Sequence, residues 1–246
     1  MRSSMLGLRA LSTTVPRLNS TPPSTASTAP TAPTPAVAAA PEGSSVLATY
    51  EGPLARTFTR LKLFSLGSLG LASILTPILL LAPGEISLAG RVGLSITALA
   101  TSGVSTALIA WIGTPYVGSM RLLKRDGKVG MELNTVSWRL RPQRTLVYEP
   151  TFLRPTSRPF AAWEIANSAP TVTLGQGESV EKLVAETFDV KSGASLGKWI
   201  AKWDGSARSK DGEEWKAVGR VEVKGRPTRY FNVHEELLGD DWQVLG

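Results

Sequence analysis

Leu63-Phe64-Ser65-Leu66-Gly67-Ser68-Leu69-Gly70 opens an uncharged run that continues to Gly84, and a second uncharged run extends from Val92 to Met120. Seven residues, Glu85–Arg91, separate the two. A helix of about 20 apolar residues is long enough to cross a bilayer, so spans are expected at about 63–84 and 92–113. The break is too short to hold a domain. The two spans therefore form a tight hairpin with both chain ends on one side. The fold class read from this pattern is a membrane α-helical hairpin, two transmembrane helices, plus a small α+β soluble domain.

Working outward, the charges beside the runs set the orientation. Arg56, Arg60 and Lys62 precede the first run, and Arg121, Lys124, Arg125 and Lys128 follow the second, against Arg91 alone in the connection. Cations gather on the side from which a chain does not cross, so both termini belong on the positive side. The start of the chain says which membrane. Met1–Ser20 holds Arg2, Arg9 and Arg17, several Ser and Thr, and no acid; the first carboxylate is Glu42. Arg-rich, Ser-rich and acid-poor is the composition of an organelle transit peptide. Thr21–Pro41 is almost wholly Thr, Pro, Ala and Ser, which cannot bury a core and reads as a linker. The domain plan is thus a presequence and linker over 1–45, the hairpin over 46–123 and a matrix-facing domain over 124–246. Of the net charge of +7 the presequence and linker supply +2 (three Arg, one Glu), leaving a surplus of +5 that suits an anionic membrane surface.

Inside the spans the residue choice concerns packing. Ala98, Ser102, Thr106 and Ala110 recur every four positions, and Ser65, Ser68, Ala72 and Thr76 offer a facing stripe in the first run. Small residues let helix backbones approach closely in lipid, where apolar burial drives nothing. The stripe serves either the hairpin's own packing or the docking of another protein's helices. Pro77 interrupts the backbone ladder of the first helix, and Ala82-Pro83-Gly84-Glu85 reads as a turn. Thr114-Pro115-Tyr116-Val117 ends the second span, with Trp111 and Tyr116 at the interface. No ionisable group lies within either run, which counts against a proton relay or ion pathway. A small oligomeric carrier lined by the Ser and Thr side chains is the alternative from another class.

The remaining half reads as strands with one helix. Val129–Leu133 and Val136–Leu140 look like strands around an Asn134-Thr135 turn, Arg144–Val147 continues the sheet, and Phe160–Ile165 adds another. Leu153–Pro159 is a proline-punctuated loop. Glu178–Glu186 has a helical pattern, with Val180, Leu183 and Val184 on one face. Ala217–Val223 and Arg229–Val233 flank Lys224-Gly225-Arg226-Pro227 as a hairpin, and Glu235–Gly239 is a terminal helical turn. Chemistry is scarce. The chain has no cysteine, and His234 is its one histidine, too few ligands for a metal. Asp240 and Asp241 are adjacent and point apart. Gly175-Gln176-Gly177 lacks the third glycine of a dinucleotide fingerprint. Lys202-Trp203 and Trp215-Lys216 mix base and aromatic as a nucleic-acid surface does, but read more simply as core aromatics beside solvated lysines. No enzyme, cofactor, metal or nucleic-acid partner is expected.

Tyr50-Glu51-Gly52-Pro53-Leu54-Ala55-Arg56, leading to Lys62-Leu63-Phe64-Ser65, resembles the transmembrane protein 70 family, as does the close at Thr114-Pro115-Tyr116-Val117. Pro159-Phe160 with Trp163, and Tyr230-Phe231 leading to Glu236-Leu237-Leu238, are similar to later landmarks. Tyr50, Gly52, Arg56, Lys62, Pro115 and Tyr116 carry the motif. The resemblance implies a non-enzymatic assembly factor of the mitochondrial inner membrane with both termini in the matrix. Its implied partners are the c subunits of the rotary ATP synthase, with complex I intermediates as the alternative client. Membrane lipid and a second copy of the chain are further expected partners.

Overall fold

Uncharged, predominantly apolar runs of this length are read as continuous helices. The computed structural model describes residues 45–242, apart from 82, 126, 175–177, 212–213 and 241. In it α1 spans Ala55–Leu81 and α2 spans Leu88–Gly113. Both are long and apolar enough to cross a membrane. Helix α1 begins eight residues ahead of the uncharged run, taking in Arg56, Arg60 and Lys62, and continues through Pro77. Helix α2 starts at Leu88, so Arg91 lies in its first turn rather than in the connection. The Ser87 hydroxyl caps this helix by accepting from the Gly90 N–H at 3.2 Å. Arg91 closes the turn by donating from Nε to the Ile86 carbonyl at 3.0 Å and from Nη2 to the Gly84 carbonyl at 2.7 Å.

Most of the other described residues belong to sheets and the turns between their strands. Strands β1 (Ser45–Glu51), β2 (Val117–Arg125), β3 (Lys128–Val136), β4 (Pro142–Val147), β7 (Ser179–Asp189), β8 (Ser195–Asp211) and β9 (Glu214–Gly225) form an antiparallel sheet in the order β1-β2-β3-β4-β7-β8-β9. A smaller sheet has the order β10-β6-β5, with β5 at Leu153–Pro155, β6 at Trp163–Ile165 and β10 at Tyr230–Phe231. The two share one core, in which Met120, Leu122, Met131 and Leu133 of the large sheet meet Phe152, Ile165 and Phe231. Thr145 and Thr187, both fully buried, satisfy each other across β4 and β7 at 3.0 Å. The Thr187 oxygen also accepts the Thr228 N–H at 3.0 Å.

The α+β expectation for the second half is corrected here: among the described residues it holds strands and two single 3-10 turns, Pro150–Phe152 and Glu235–Leu237. The segment read as a helix, Glu178–Glu186, falls in β7. Its register shifts between Leu183 and Ala185. That bulge sets Leu183, Val184 and Ala185 side by side and breaks the period-two alternation a strand normally shows. Asn134-Thr135 is no turn either. Strand β3 runs through it, with Asn134 Nδ2 donating to Ser119 Oγ across the ladder at 3.2 Å and Thr135 buried. The turn comes at Ser137–Arg141, where a strand was expected, closed by the Ser137 N–H on the Arg141 carbonyl at 2.9 Å. Strand β10 leaves β9 after Gly225 and pairs with β6, so no hairpin forms about Lys224–Pro227. Part of the expected Leu153–Pro159 loop is strand β5. The presequence over Met1–Ser20, the Thr21–Pro41 linker, Gly175–Gly177 and Asp241 lie outside the described residues.

The helical hairpin is an insertion between β1 and β2, which are neighbours at the sheet edge: Tyr50 faces Met120 and Glu51 faces Ser119. One edge of the sheet thereby holds both feet of the hairpin.

Candidate functional site

Two features of the hairpin stand out, the seam between its helices and the collar where it meets the sheet. At the seam Ser65 and Thr106, both buried, bond directly, Ser65 Oγ to Thr106 Oγ1 at 2.8 Å. Thr106 Oγ1 in turn lies 2.7 Å from the Ser102 carbonyl and 3.2 Å from the Ser65 carbonyl. The Thr106 hydroxyl is thus engaged within the hairpin. Towards the connection a groove of 310 Å³ lies between the helices, lined among others by Ser68, Ala72, Ala98 and Ser102. Ser95 also faces it, and its buried hydroxyl has no partner. Of the eight small residues expected on the two facing stripes, Ser68, Ala72, Thr76, Ala98 and Ser102 line this groove, Ser65 and Thr106 join the helices below it, and Ala110 follows one turn on, half-buried. The outer surfaces are apolar and open, Phe64 being 76% exposed and Leu81 83%.

The collar is built from the motif residues. Tyr50 is buried in the core at the end of β1, and its phenol oxygen accepts the His234 N–H at 3.1 Å. Gly52 follows, donating its N–H to the Gly118 carbonyl at 2.9 Å. A Cβ there would run into the Val117 carbonyl oxygen and the Tyr116 phenol, so only glycine permits this crossing. Tyr116 holds the other foot. Its phenol oxygen accepts the Leu54 N–H at 2.8 Å, and its ring packs on Phe58 with centroids 4.6 Å apart. Burial pushes this phenol above its usual range, opposed in part by the Leu54 hydrogen bond. Pro115 ends α2 and offers its carbonyl to the Asn232 N–H at 2.7 Å, tying the hairpin to the chain's last strand segment.

Lys62 is the least ordinary member. Only 3% exposed, it reaches from α1 to the Val136 carbonyl, with Nζ 2.7 Å from the oxygen. The β2–β3 ladder stops at Val117 and Thr135, so Val136 lies one residue past its end and the lysine takes the place of a strand neighbour. Gly113 makes room: a Cβ there would come within 2.8 Å of Lys62 Cε and 3.3 Å of Phe58.

The topology-setting cations separate. Arg56 and Arg60 lie exposed on the first turns of α1 beside the collar. Arg121 sits in mid-β2 opposite Glu132, while Lys124 and Arg125 are at the far end of β2. Nine residues of strand carry that end about 25 Å from the foot of α2. Sequence reasoning missed Gly113, Phe58 and Asn232. Gly113 was the legible one, a glycine at the end of an apolar run facing a lysine.

The Lys202-Trp203 pair lies in the packed sheet, while the side chains of Trp215 and Lys216 lie outside those described. Trp203 and Trp199 are buried, their indoles donating to the Pro170 carbonyl at 2.7 Å and the Thr228 carbonyl at 3.2 Å. Lys202 bridges Glu181 and Glu222 at 2.7 and 2.8 Å. His234 Nδ1 lies 3.0 Å from Glu236 Oε1. Among the described residues no three His, Cys, Asp or Glu side chains gather as a metal site would require.

An uncharacterised protein of Schizosaccharomyces pombe is 39% identical to the chain over 92 residues. The match covers 37% of this chain and 49% of that protein, about half its length. No family model matches the chain, and no solved structure does.

Proposed function

We propose that the chain is a non-enzymatic assembly factor of the mitochondrial inner membrane. In this reading the hairpin crosses the membrane with both termini in the matrix and supports c-ring biogenesis of the ATP synthase through helix–helix contacts. The observation that carries it is the contrast between the two halves of the molecule. The sheet half buries Phe152, Trp199, Trp203 and Phe231 in a core, whereas α1 and α2 leave Phe64, Ile74, Leu81 and Leu88 open. Apolar faces of that extent are stable in lipid or against another protein. The groove between the helices supports helix contact over catalysis, since leucine, alanine, serine and threonine line it and none of these lining residues is titratable. The transit-like start and the likeness to the transmembrane protein 70 family point to the compartment and the client.

The docking face of this reading is Ser68, Ala72, Ala98 and Ser102. Thr106 is set aside for the hairpin itself. Ala98→Leu and Ser102→Leu fill the groove without touching the Ser65–Thr106 bond. Both variants are expected to insert normally and to lose c subunits in pull-downs from mildly solubilised mitochondria, with blue-native gels showing less ATP synthase. Normal recovery of c subunits by both variants refutes the docking face. Recovery of complex I intermediates with normal ATP synthase moves the client to complex I. Intact complexes and no partner revive the small oligomeric carrier.

A further inference from the structure

The ladder registers place the β3–β4 turn, the β7–β8 turn and the β9–β10 link at the same end of the large sheet as Val117 and Glu51, the feet of the hairpin. That end is rich in cations: Arg139, Arg141, Lys191 and Arg226. The acids there are Glu51, Asp189, Glu235 and Glu236; Asp189 is turned inward, accepting the Lys191 and Ser192 N–H groups at 2.9 and 3.0 Å, Glu235 accepts the Trp163 indole N–H at 2.6 Å, and Glu236 lies 3.0 Å from His234 Nδ1. Two segments of this rim lie by the base of the hairpin. The first is Ser137–Arg141, one residue past the Val136 carbonyl that Lys62 holds. The second is Arg158–Phe160, whose Phe160 ring meets Trp111 near the end of α2 edge-on at 6.2 Å.

Each segment carries an exposed aromatic ring and an arginine. Trp138 is 50% exposed with the Arg139 guanidinium 4.5 Å over its ring. Phe160 is 53% exposed, and Arg158 stands 5.6 Å from the Trp111 ring and 4.3 Å from that of Tyr230. Each segment also contains a non-glycine residue at positive φ, Leu140 and Phe160, both at 60°; these are the two such residues among the described ones. A bulky side chain in that region costs energy and is kept where position matters. Nothing in the core requires an open tryptophan or phenylalanine at these loops. Aromatic rings with an apolar body at headgroup depth, beside arginines, are what a membrane surface selects.

We propose that this rim binds an anionic lipid surface, with Trp138 and Phe160 seated at headgroup level and Arg139, Arg141 and Arg158 on lipid phosphates. The sheet is thereby pinned to the bilayer at two points besides the hairpin. The inference rests on the membrane reading of α1 and α2, though not on any client. Its test uses the full chain reconstituted in phosphatidylcholine and in equal mixtures with phosphatidylglycerol. The emission of Trp138, taken as the difference between the parent and Trp138→Phe, is followed with chain-brominated lipids as quenchers. Quenching in the anionic bilayer, lost in Arg139→Gln/Arg141→Gln, is the expected result, each arginine removed weakening the seating about fivefold. Trp138 emission that is unquenched in the anionic bilayer overturns the proposal. Flotation with the vesicles keeps the two readings apart. A chain that floats with Trp138 unquenched loses only the rim, whereas one that does not float loses the membrane reading as well.

Discussion

Replacing Gly52 by alanine tests whether the collar is rigid. The added Cβ meets the Val117 carbonyl oxygen, which is backbone, and lies 2.9 Å from the Tyr116 phenol oxygen. Neither neighbour is free to give way, because Tyr116 is held by the Leu54 N–H at 2.8 Å and stacked on Phe58. The strand must move, at an overpacking cost of about 1–3 kcal/mol. Movement also weakens two hydrogen bonds, Gly52 to the Gly118 carbonyl and Leu54 to Tyr116, each worth about 1 kcal/mol. Alanine returns about 0.4–1 kcal/mol by restricting the unfolded chain. The balance is a loss of about 2–4 kcal/mol, a fall in melting midpoint of about 5–15 °C for a chain of this size. Gly67→Ala and Gly70→Ala are internal controls, because a Cβ at either glycine meets nothing within 4 Å. Tryptophan emission on heating in detergent reads the midpoint, and the buried Trp199 and Trp203 report the sheet. A Gly52→Ala midpoint equal to those of the two controls refutes the close-approach argument.

Two further outcomes are expected. The Ser65–Thr106 bond gives a coupling of about 0.6 kcal/mol, the typical value for interhelical hydrogen bonds in membrane proteins, in a Ser65→Ala, Thr106→Val double-mutant cycle on detergent unfolding; strictly additive single changes remove the bond from the account. The Asp189 carboxyl is held below the usual aspartate range, first by the Ser192 N–H and then by that of Lys191. A depressed folded value means this contribution is complete above the unfolded value near pH 4 and fades as pH falls through the folded one. Asp189→Asn therefore flattens the acid side of the stability profile below about pH 4 and leaves its shape at neutral pH unchanged. An acid limb identical to the parent's counts against the turn.

The hairpin was legible because two uncharged runs admit few structures, and helix ends at Gly113 and Leu88 fall where Thr114-Pro115 and Ser87 supply the signals. Tyr50, Gly52, Lys62 and Tyr116 were legible as a motif but not as a collar. Their joint role depends on β1 and β2 being neighbours across a 65-residue insertion, and no local pattern encodes that pairing. Strand β7 was misread because its bulge places three apolar residues in a row. Strand β8 carried a plain signal, Lys198-Trp199-Ile200-Ala201-Lys202-Trp203 alternating with period two, and both tryptophans point into the core. The turn at Ser137–Arg141 has no glycine and only a proline after it, so turn chemistry did not announce it. It is bent by Leu140 in the left-handed region instead.

The way the collar is built bears on how such a hairpin could work. A pair of helices joined by one hydroxyl bond and a small-residue groove has little to fix its spacing from within. Interhelical hydrogen bonds in lipid contribute little each. The spacing is set from outside, by β1 and β2 pairing over Tyr50–Met120 and Glu51–Ser119, with Lys62 and Tyr116 crossing between the feet. Strand pairing fixes the two feet at a neighbouring-strand distance of about 4.8 Å, closer than the 8–10 Å at which packed helix axes lie. The hydroxyl seam then joins the helices partway along. Beyond Thr106 the small side chains leave the groove that the proposed function assigns to a client helix. A rigid foot with an under-filled far end suits a protein that holds a helix and later releases it, because the grip is made only by weak contacts near the connection. Strengthening the far end, with Ala98→Leu or Ser102→Leu, should close the hairpin on itself. In the assembly reading that change removes the grip while leaving the collar, and with it the fold, as it was.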